Sequence, residues 1–98
     1  MATGREITYS RFSESNPEDV FELSTVSIPQ QVGSGEALVR IKCSMVHPCD
    51  IGCASGLVNG IELPAIGGFE GFGVVEKVGA DLQKRFSKGQ RVHVSATH

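Results

Sequence analysis

Hydrophobic and polar residues alternate most regularly between Ala37 and Met45. One phase of the alternation is apolar and comprises Val39, Ile41, Cys43 and Met45. The other phase comprises Leu38, Arg40, Lys42 and Ser44. A period of two is that of a β-strand, whose successive side chains point to opposite faces of the sheet. The pattern therefore predicts an antiparallel strand that is half-buried through its apolar phase.

Shorter apolar segments on both sides of this strand also fit strands. They are Ile7–Tyr9 with its flanks, Val20–Ile28, Phe72–Val78 and Arg91–Ser95. Within the second segment the apolar phase changes at Val26 and Ile28, which predicts a bulge or a turn onto another face. Turn signals separate the segments at Asn16-Pro17, Gly33-Ser34-Gly35, Gly79 and Lys88-Gly89. Short strands at this spacing predict a mainly β domain, either a barrel or a sandwich.

A short helix is predicted directly after the alternating strand. The segment His47-Pro48-Cys49-Asp50 follows the strand, and Gly56 comes soon afterwards. Aspartate is a favoured N-cap and glycine a favoured helix terminator. We therefore expect Asp50 to cap a helix that extends to about Ala54.

Composition and charge exclude several classes of protein. The 98 residues are 40% hydrophobic, and the formal net charge is −2, which provides no basic field for nucleic acid or an anionic membrane. No apolar run reaches the roughly 18–20 residues that span a bilayer. The first twenty residues contain four acids and no apolar leader segment. Three cysteines cannot all pair within one chain, which favours reduced thiols and a cytosolic protein.

Charge is unevenly distributed along the chain. Residues 82–98 contain no acid and four cationic side chains, which are Lys84, Arg85, Lys88 and Arg91. A solvated face is the favoured interpretation, and an anion site on this segment is the less favoured alternative.

Glycine is concentrated in the middle of the chain. Eight of the twelve glycines lie in residues 52–79. Gly71 and Gly73 match the start of a G-x-G-x-x-G fingerprint, but Glu76 stands at the third glycine and the segment leads into a strand instead of a helix. We therefore predict no dinucleotide site in this motif and expect bare positions where the backbone turns or packs closely.

Four side chains near this segment are chemically able to bind zinc. They are His47, Cys49, Cys53 and Glu70. Paired C-x-x-C spacing is absent, and both cysteines could be small buried residues around the short helix. Structural roles are therefore favoured over a metal site.

Four segments taken together resemble a known family. They are 35–41 (GEALVRI), 47–51 (HPCDI), 63–79 (LPAIGGFEGFGVVEKVG) and 86–92 (FSKGQRV). Over about residues 5–95 they are similar to the N-terminal GroES-like catalytic domain of medium-chain dehydrogenase/reductases. HPCDI resembles the Asn-Pro-x-Asp segment of the zinc-independent quinone oxidoreductase and enoyl reductase branch, with His47 in place of asparagine. Phe69 stands where the family's alcohol dehydrogenases have a histidine zinc ligand, and phenylalanine cannot bind a metal.

The resemblance implies a GroES-like partial β-barrel with one or two short helices. It implies transfer of hydride from NADP, or NAD, in its reduced form to a quinone or an activated C=C of a small-molecule substrate, without a metal. Residues 1–98 would be an incomplete N-terminal catalytic domain, inactive alone, because the nucleotide is held mainly by a Rossmann domain absent from this chain. The full-length protein would be a cytoplasmic homodimer.

The resemblance also assigns roles to individual residues. His47 would face the nicotinamide and the substrate carbonyl, with a capping role as the equal alternative, and Val58 would line the cleft. Asp50 would cap the helix or orient the His47 region. Glu70 would anchor the glycine motif through a basic side chain such as Arg91. The structural glycines would be Gly68, Gly71, Gly73 and Gly79.

Some features depart from that branch and leave rival functions open. Gly52 and Val58 stand where the branch has aromatic residues, and the tyrosine acid of enoyl thioester reductases has no counterpart. A stand-alone barrel acting as an interaction module is one rival. A zinc alcohol dehydrogenase with altered ligands is the other.

Overall fold

The computed structural model describes residues 2–95 as a mainly β fold with one α-helix. The strands in this range are β1 (Thr3–Tyr9), β2 (Phe21–Ser27), β3 (Ala37–Ser44), β4 (Ala65–Ile66), β5 (Glu70–Val78) and β6 (Arg91–Ser95). Helix α1 spans Pro48–Ser55, and short 3₁₀ helices span Pro17–Val20 and Ala80–Leu82. The predicted strands and helix are confirmed, whereas β4 and the 3₁₀ helices were not predicted.

The described chain divides into two compact units. The first unit comprises residues 2–28 and 46–69, and the second comprises residues 29–45 and 70–95. Neither end of the predicted domain, 1–98, lies within the described residues, so those boundaries stay a prediction. None of the helices in residues 2–95 has the length and apolarity that crossing a membrane requires.

The first unit contains an antiparallel sheet with the strand order β2-β1-β4. Strands β1 and β2 pair without a register shift from Thr3↔Ser27 to Tyr9↔Phe21. The bulge expected in this segment is therefore wrong. The apolar phase changes because opposite faces of the hairpin are covered at its two ends. Tyr9 and Phe21 pack into the core, whereas the half-buried Val26 and Ile28 lie on the other phase.

The core of the first unit gathers residues that lie far apart in sequence. Its buried members are Tyr9, Val20, Cys53, Ala54 and Ala65, with Phe21, Ile61 and Phe69 packed against them. The rings of Tyr9 and Phe21 meet edge to face with centroids 5.7 Å apart, a favourable aromatic geometry. The Ser13 N–H donates to the Ala54 carbonyl oxygen at 2.9 Å and ties the loop after β1 to α1.

The second unit contains an antiparallel sheet with the strand order β3-β5-β6. The predicted burial of the apolar phase of β3 is wrong, because Ile41 is 52% exposed and Cys43 and Met45 are exposed as well. Register irregularities on either side of residues 39–41 break the strict alternation. Burial is instead concentrated on β5, where Val75 is only 2% exposed.

Candidate functional site

The N-terminus of α1 brings His47 and Asp50 together. His47 is the N-cap, with extended backbone, and Pro48 is the first helical residue. The His47 N–H donates to Asp50 Oδ2 at 2.7 Å, and the Asp50 N–H donates to the His47 carbonyl oxygen at 2.9 Å. The prediction that Asp50 is the N-cap is therefore wrong by three residues. Proline fits the first helical position because an N–H at that position would have no partner within the helix. The helix therefore begins before Asp50, and the Asp50 carboxylate accepts a hydrogen bond from the N–H of the preceding N-cap residue.

Asp50 is buried at this site, with only 7% of its surface exposed. Its second oxygen, Oδ1, is also buried and has no hydrogen-bond partner within residues 2–95. A carboxylate near a helix N-terminus is stabilised by the helix dipole and by orphan N–H groups. The hydrogen bond from the His47 N–H makes Asp50 the capping-box partner of the N-cap residue. Its role in orienting a functional His47 stays a prediction.

Two groups near Asp50, the Cys53 thiol and the Tyr9 hydroxyl, have raised pKa values that favour their neutral forms. Burial raises the pKa of the Cys53 thiol, and nearby Cys49 and Asp50 raise it further. Burial also raises the pKa of the Tyr9 hydroxyl, with added contributions from Cys53 and Asp50. Because the thiolate is the reactive form of cysteine, Cys53 is a poor nucleophile at neutral pH and acts as a core residue.

Two other residues singled out with His47 are an exposed loop residue, Val58, and a residue that packs against the core, Phe69. Val58 lies on the exposed loop after α1. Gly56 ends this helix as predicted and has a left-handed backbone conformation, with φ 85°. Phe69 is half-buried and packs against the core of the first unit. No group of three or more His, Cys, Asp or Glu side chains within residues 2–95 is arranged to hold a metal ion.

The glycine motif begins in the first unit and continues through β5 of the second. Gly68 has φ 96°, a backbone conformation that disfavours any side chain. Gly71 is buried, and a Cβ added there would lie at ordinary contact distance from the Cys43 carbonyl oxygen and the Ile41 side chain. A Cβ at Gly73 would overlap the Arg40 carbonyl oxygen, and one at Gly79 would overlap the Gly33 carbonyl oxygen. The expectation of bare positions for close backbone packing therefore fits Gly73 and Gly79 best.

Glu70 begins β5 and meets a histidine on β6. Its Oε1 lies 3.6 Å from His93 Nε2. The strand register places Ser95 opposite Glu70 and Arg91 opposite Val74. A basic side chain therefore lies beside Glu70, but it is that of His93. Arg91, the example predicted, lies four positions farther along the sheet.

Sequence reasoning missed a groove on the second unit. Lys42, Phe72, Arg91 and His93 line a cavity of about 370 Å³ on the face of the β3-β5-β6 sheet. Of the four cations noted in residues 82–98, Arg91 lines this groove and Lys84, Arg85 and Lys88 do not, so the excess of charge was a weak signal for it. The exposure of Phe72 could not be predicted from the sequence, because a phenylalanine in an apolar segment is as consistent with a buried position as with an exposed one.

Comparison with known proteins places the fold in a family. The family model of the alcohol dehydrogenase GroES-like domain matches residues 33–97. A mitochondrial enoyl-acyl-carrier-protein reductase of Caenorhabditis elegans is 39% identical over 89 residues, which are 90% of this chain and 25% of the relative. A zinc-type alcohol dehydrogenase-like protein of Schizosaccharomyces pombe is 33% identical over 84 residues, which are 85% of this chain and 22% of the relative.

A solved structure agrees with these relatives. The quinone oxidoreductase of Escherichia coli in complex with NADPH matches 97% of this chain and 28% of its own, with a TM-score of 0.78 and 25% identity. The chain thus spans about a quarter of the length of the proteins it matches. The resemblance drawn from the sequence and the expected GroES-like fold are confirmed. This chain belongs to the alcohol dehydrogenase GroES-like domain family of medium-chain dehydrogenase/reductases.

Proposed function

We propose that this chain is the N-terminal catalytic part of a zinc-independent, NAD(P)H-dependent oxidoreductase that reduces a quinone or an activated C=C of an enone or enoyl substrate. The observation that carries the proposal is the capped N-terminus of α1, where the buried Asp50 fixes the backbone of His47. The names of the relatives support the reaction class, since one is an enoyl reductase and another is a quinone oxidoreductase solved with NADPH.

In this proposal the chain contributes to one end of the cofactor site, the nicotinamide end. Gly71 and Gly73 lie inside β5, and the space beside Gly73 is filled by the backbone of β3, so this motif offers no cradle for a pyrophosphate. We place the nucleotide mainly on a Rossmann domain outside this chain, and we place His47 and Val58 at the nicotinamide. When bound, the reduced cofactor supplies the hydride.

His47 has a defined task in this scheme. The substrate carbonyl oxygen gains negative charge as the conjugated C=C accepts hydride. An imidazole N–H that donates a hydrogen bond to that oxygen would stabilise the transition state. Asp50 is a positioning residue, because it holds the backbone N–H of His47 and does not touch substrate.

The test is reduced-cofactor oxidation by the full-length protein with quinone, enone and enoyl thioester substrates. His47→Ala should lower kcat by about 100-fold or more, the usual loss for one oxyanion donor. His47→Asn keeps an N–H donor and should retain most of the activity. Equal kcat for His47→Ala and the parent protein, or cofactor binding without turnover of any substrate, would refute the proposal.

Two further measurements separate the rival functions. Stoichiometric zinc in the full-length protein would support an alcohol dehydrogenase with altered ligands. A reading frame that stops at His98 would support a stand-alone interaction module. The homodimer and the cytosolic compartment are part of the same proposal, the latter supported by the unpaired Cys43, Cys49 and Cys53.

A further inference from the structure

A shallow groove lies on the β3-β5-β6 sheet of the second unit. It is lined by Lys42, Phe72, Gly73, Val74, Arg91, Val92 and His93. Its volume of about 370 Å³ falls in the roughly 300–1,000 Å³ range of small-molecule sites, which combine apolar walls with a few polar groups. The groove is therefore large enough for a ligand of about the size of a mononucleotide.

The charges around the groove are mostly positive. A second groove of about 350 Å³ adjoins it through Lys42 and adds Arg40 and Lys88. Of the nearby carboxylates, Glu76 pairs with Arg40 at 2.5 Å, and Glu70 Oε1 lies 3.6 Å from the imidazole Nε2 of His93. Within residues 2–95 no carboxylate forms an ion pair with Lys42, Lys88 or Arg91. These three cations remain available for an anionic ligand.

An aromatic surface lies beside the cations. Phe72 is 42% exposed, and its ring centroid lies 4.9 Å from that of His93, the residue directly opposite on β6. Exposing an aromatic ring to water is unfavourable, and the ring offers a flat face on which a base can stack. A bare inorganic anion would use the cations and leave this ring unused.

We infer that this groove binds an aromatic phosphomonoester, the chemical class to which mononucleotides belong. The phosphate contacts Arg91 and Lys42, because a guanidinium fork matches phosphate oxygens and an ammonium adds a point charge. The aromatic group stacks on Phe72 beside Val74, which shares the same face of β5. The site is separate in its residues from His47 and Asp50, and it requires no hydride transfer.

The test is a titration of the isotope-labelled chain with adenosine monophosphate, followed by NMR. Amide shifts should change at residues 42, 72–74 and 91–93, with adenosine monophosphate binding about tenfold more tightly than inorganic phosphate or adenosine alone. Arg91→Gln and Lys42→Gln should each weaken binding about fivefold to tenfold, and Phe72→Leu several-fold. Lys84→Gln removes the same charge outside the groove and should change affinity less than about twofold.

Several outcomes would overturn the inference. They are an absence of shifts at about 10 mM ligand, shifts centred on α1, equal binding of inorganic phosphate, and equal losses in Lys84→Gln and Arg91→Gln. Binding of an acidic peptide without binding of the nucleotide would also overturn it and identify a protein-docking surface. Because the proposed hydride transfer does not use Lys42, Phe72 or Arg91, an absence of nucleotide binding in the groove would refute this inference and leave the proposed oxidoreductase function standing.

Discussion

The two units of this chain bury their interiors in different ways. The first unit packs side chains from separate segments around Tyr9 and Ala54. The second unit has Val75 as the buried large apolar side chain among the described residues, and it brings backbones together at Gly73 and Gly79. Side-chain packing tolerates small backbone adjustments, whereas a backbone contact through glycine leaves no room for even one added carbon. The units should therefore respond to opposite kinds of substitution.

The same difference separates the two candidate sites. In the first unit, a buried carboxylate and buried titratable groups surround the N-terminus of α1. In the second unit, the charged side chains lie on an exposed sheet face. Low exposure strengthens electrostatic effects at the first site, whereas solvent and salt screen the second. Salt should accordingly weaken nucleotide binding to the groove far more than it affects the His47 cap.

The largest expected effect is that of Gly79→Ala in the second unit. The added Cβ would overlap the Gly33 carbonyl oxygen and lie 2.6 Å from that of Ser34, so the backbone must move. We expect a loss of about 3 kcal/mol in the free energy of unfolding, measured by urea denaturation. Gly35→Ala is the matched control, because no atom lies within 4 Å of its added Cβ. Equal stability of the two variants would refute the backbone-packing explanation.

A second comparison tests which apolar residues of the second unit form its interior. Val75→Ala should cost about 2 kcal/mol, because the valine is fully buried. Ile41→Ala should cost less than about 1 kcal/mol, because half of the isoleucine remains exposed. The sequence pattern of Ala37–Met45 instead predicts that Ile41 is buried, and therefore a large loss for Ile41→Ala. Thermal unfolding of both variants measures the two losses of stability. A greater loss for Ile41→Ala than for Val75→Ala would contradict the burial seen in the structure and support the burial predicted from the alternating pattern.

The sequence predicts local structure well and burial poorly, for a physical reason. Period-two alternation specifies that β3 is a strand and which residues share a face. Whether a face is buried depends on what covers it, which is decided by distant segments. Ile41 is exposed on the predicted inner face, and Val20 is buried in a 3₁₀ helix that was not predicted. The core of the first unit is assembled from such distant segments and could not be read from periodicity.

The candidate sites show the same limit. His47 and Asp50 were predicted together because they lie in one short motif, and the structure places them within hydrogen-bond distance. The structure has His47 as the N-cap, the alternative role predicted for it. Asp50 was assigned wrongly as the N-cap because the preference of Pro48 for the first helical position was not used. The groove combines Lys42 of β3 with Phe72 and Arg91 of the two other strands. That combination depends on the pairing of all three strands, which the sequence does not specify.

The third prediction concerns the cap of α1 in the first unit. Asp50→Ala removes the acceptor of the His47 N–H and should lower the free energy of unfolding by about 1–2 kcal/mol. Asp50→Asn keeps one acceptor oxygen and should lower the free energy of unfolding by less than Asp50→Ala does. Asp81→Ala, at an exposed position in the second unit, should change stability by less than about 0.5 kcal/mol. If Asp50→Ala unfolded at the same urea concentration as Asp81→Ala, the hydrogen bond would contribute nothing to the fold.

The smallest effect is a dependence of stability on alkaline pH that originates in the first unit. The pKa of Cys53 is raised in the folded protein above its ordinary value of 9.0, chiefly by burial. Above that pH the unfolded chain binds fewer protons than the folded one, so the free energy of unfolding falls as pH rises. The stabilisation is complete below pH 9.0 and is lost as pH rises through the folded pKa. Tyr9, whose pKa is raised from 10.0, extends the decline to higher pH.

Matched cysteine variants assign this decline to the first unit. Cys53→Ala should flatten the early part of the decline, because the titrating buried thiol is gone. Cys43→Ala, at an exposed position in the second unit, should leave it unchanged. Tyr9→Phe should flatten the later part. The measurement is urea denaturation at closely spaced pH values above neutrality. Parallel curves for Cys53→Ala and the parent protein would place the titration elsewhere and would remove the electrostatic distinction between the two units.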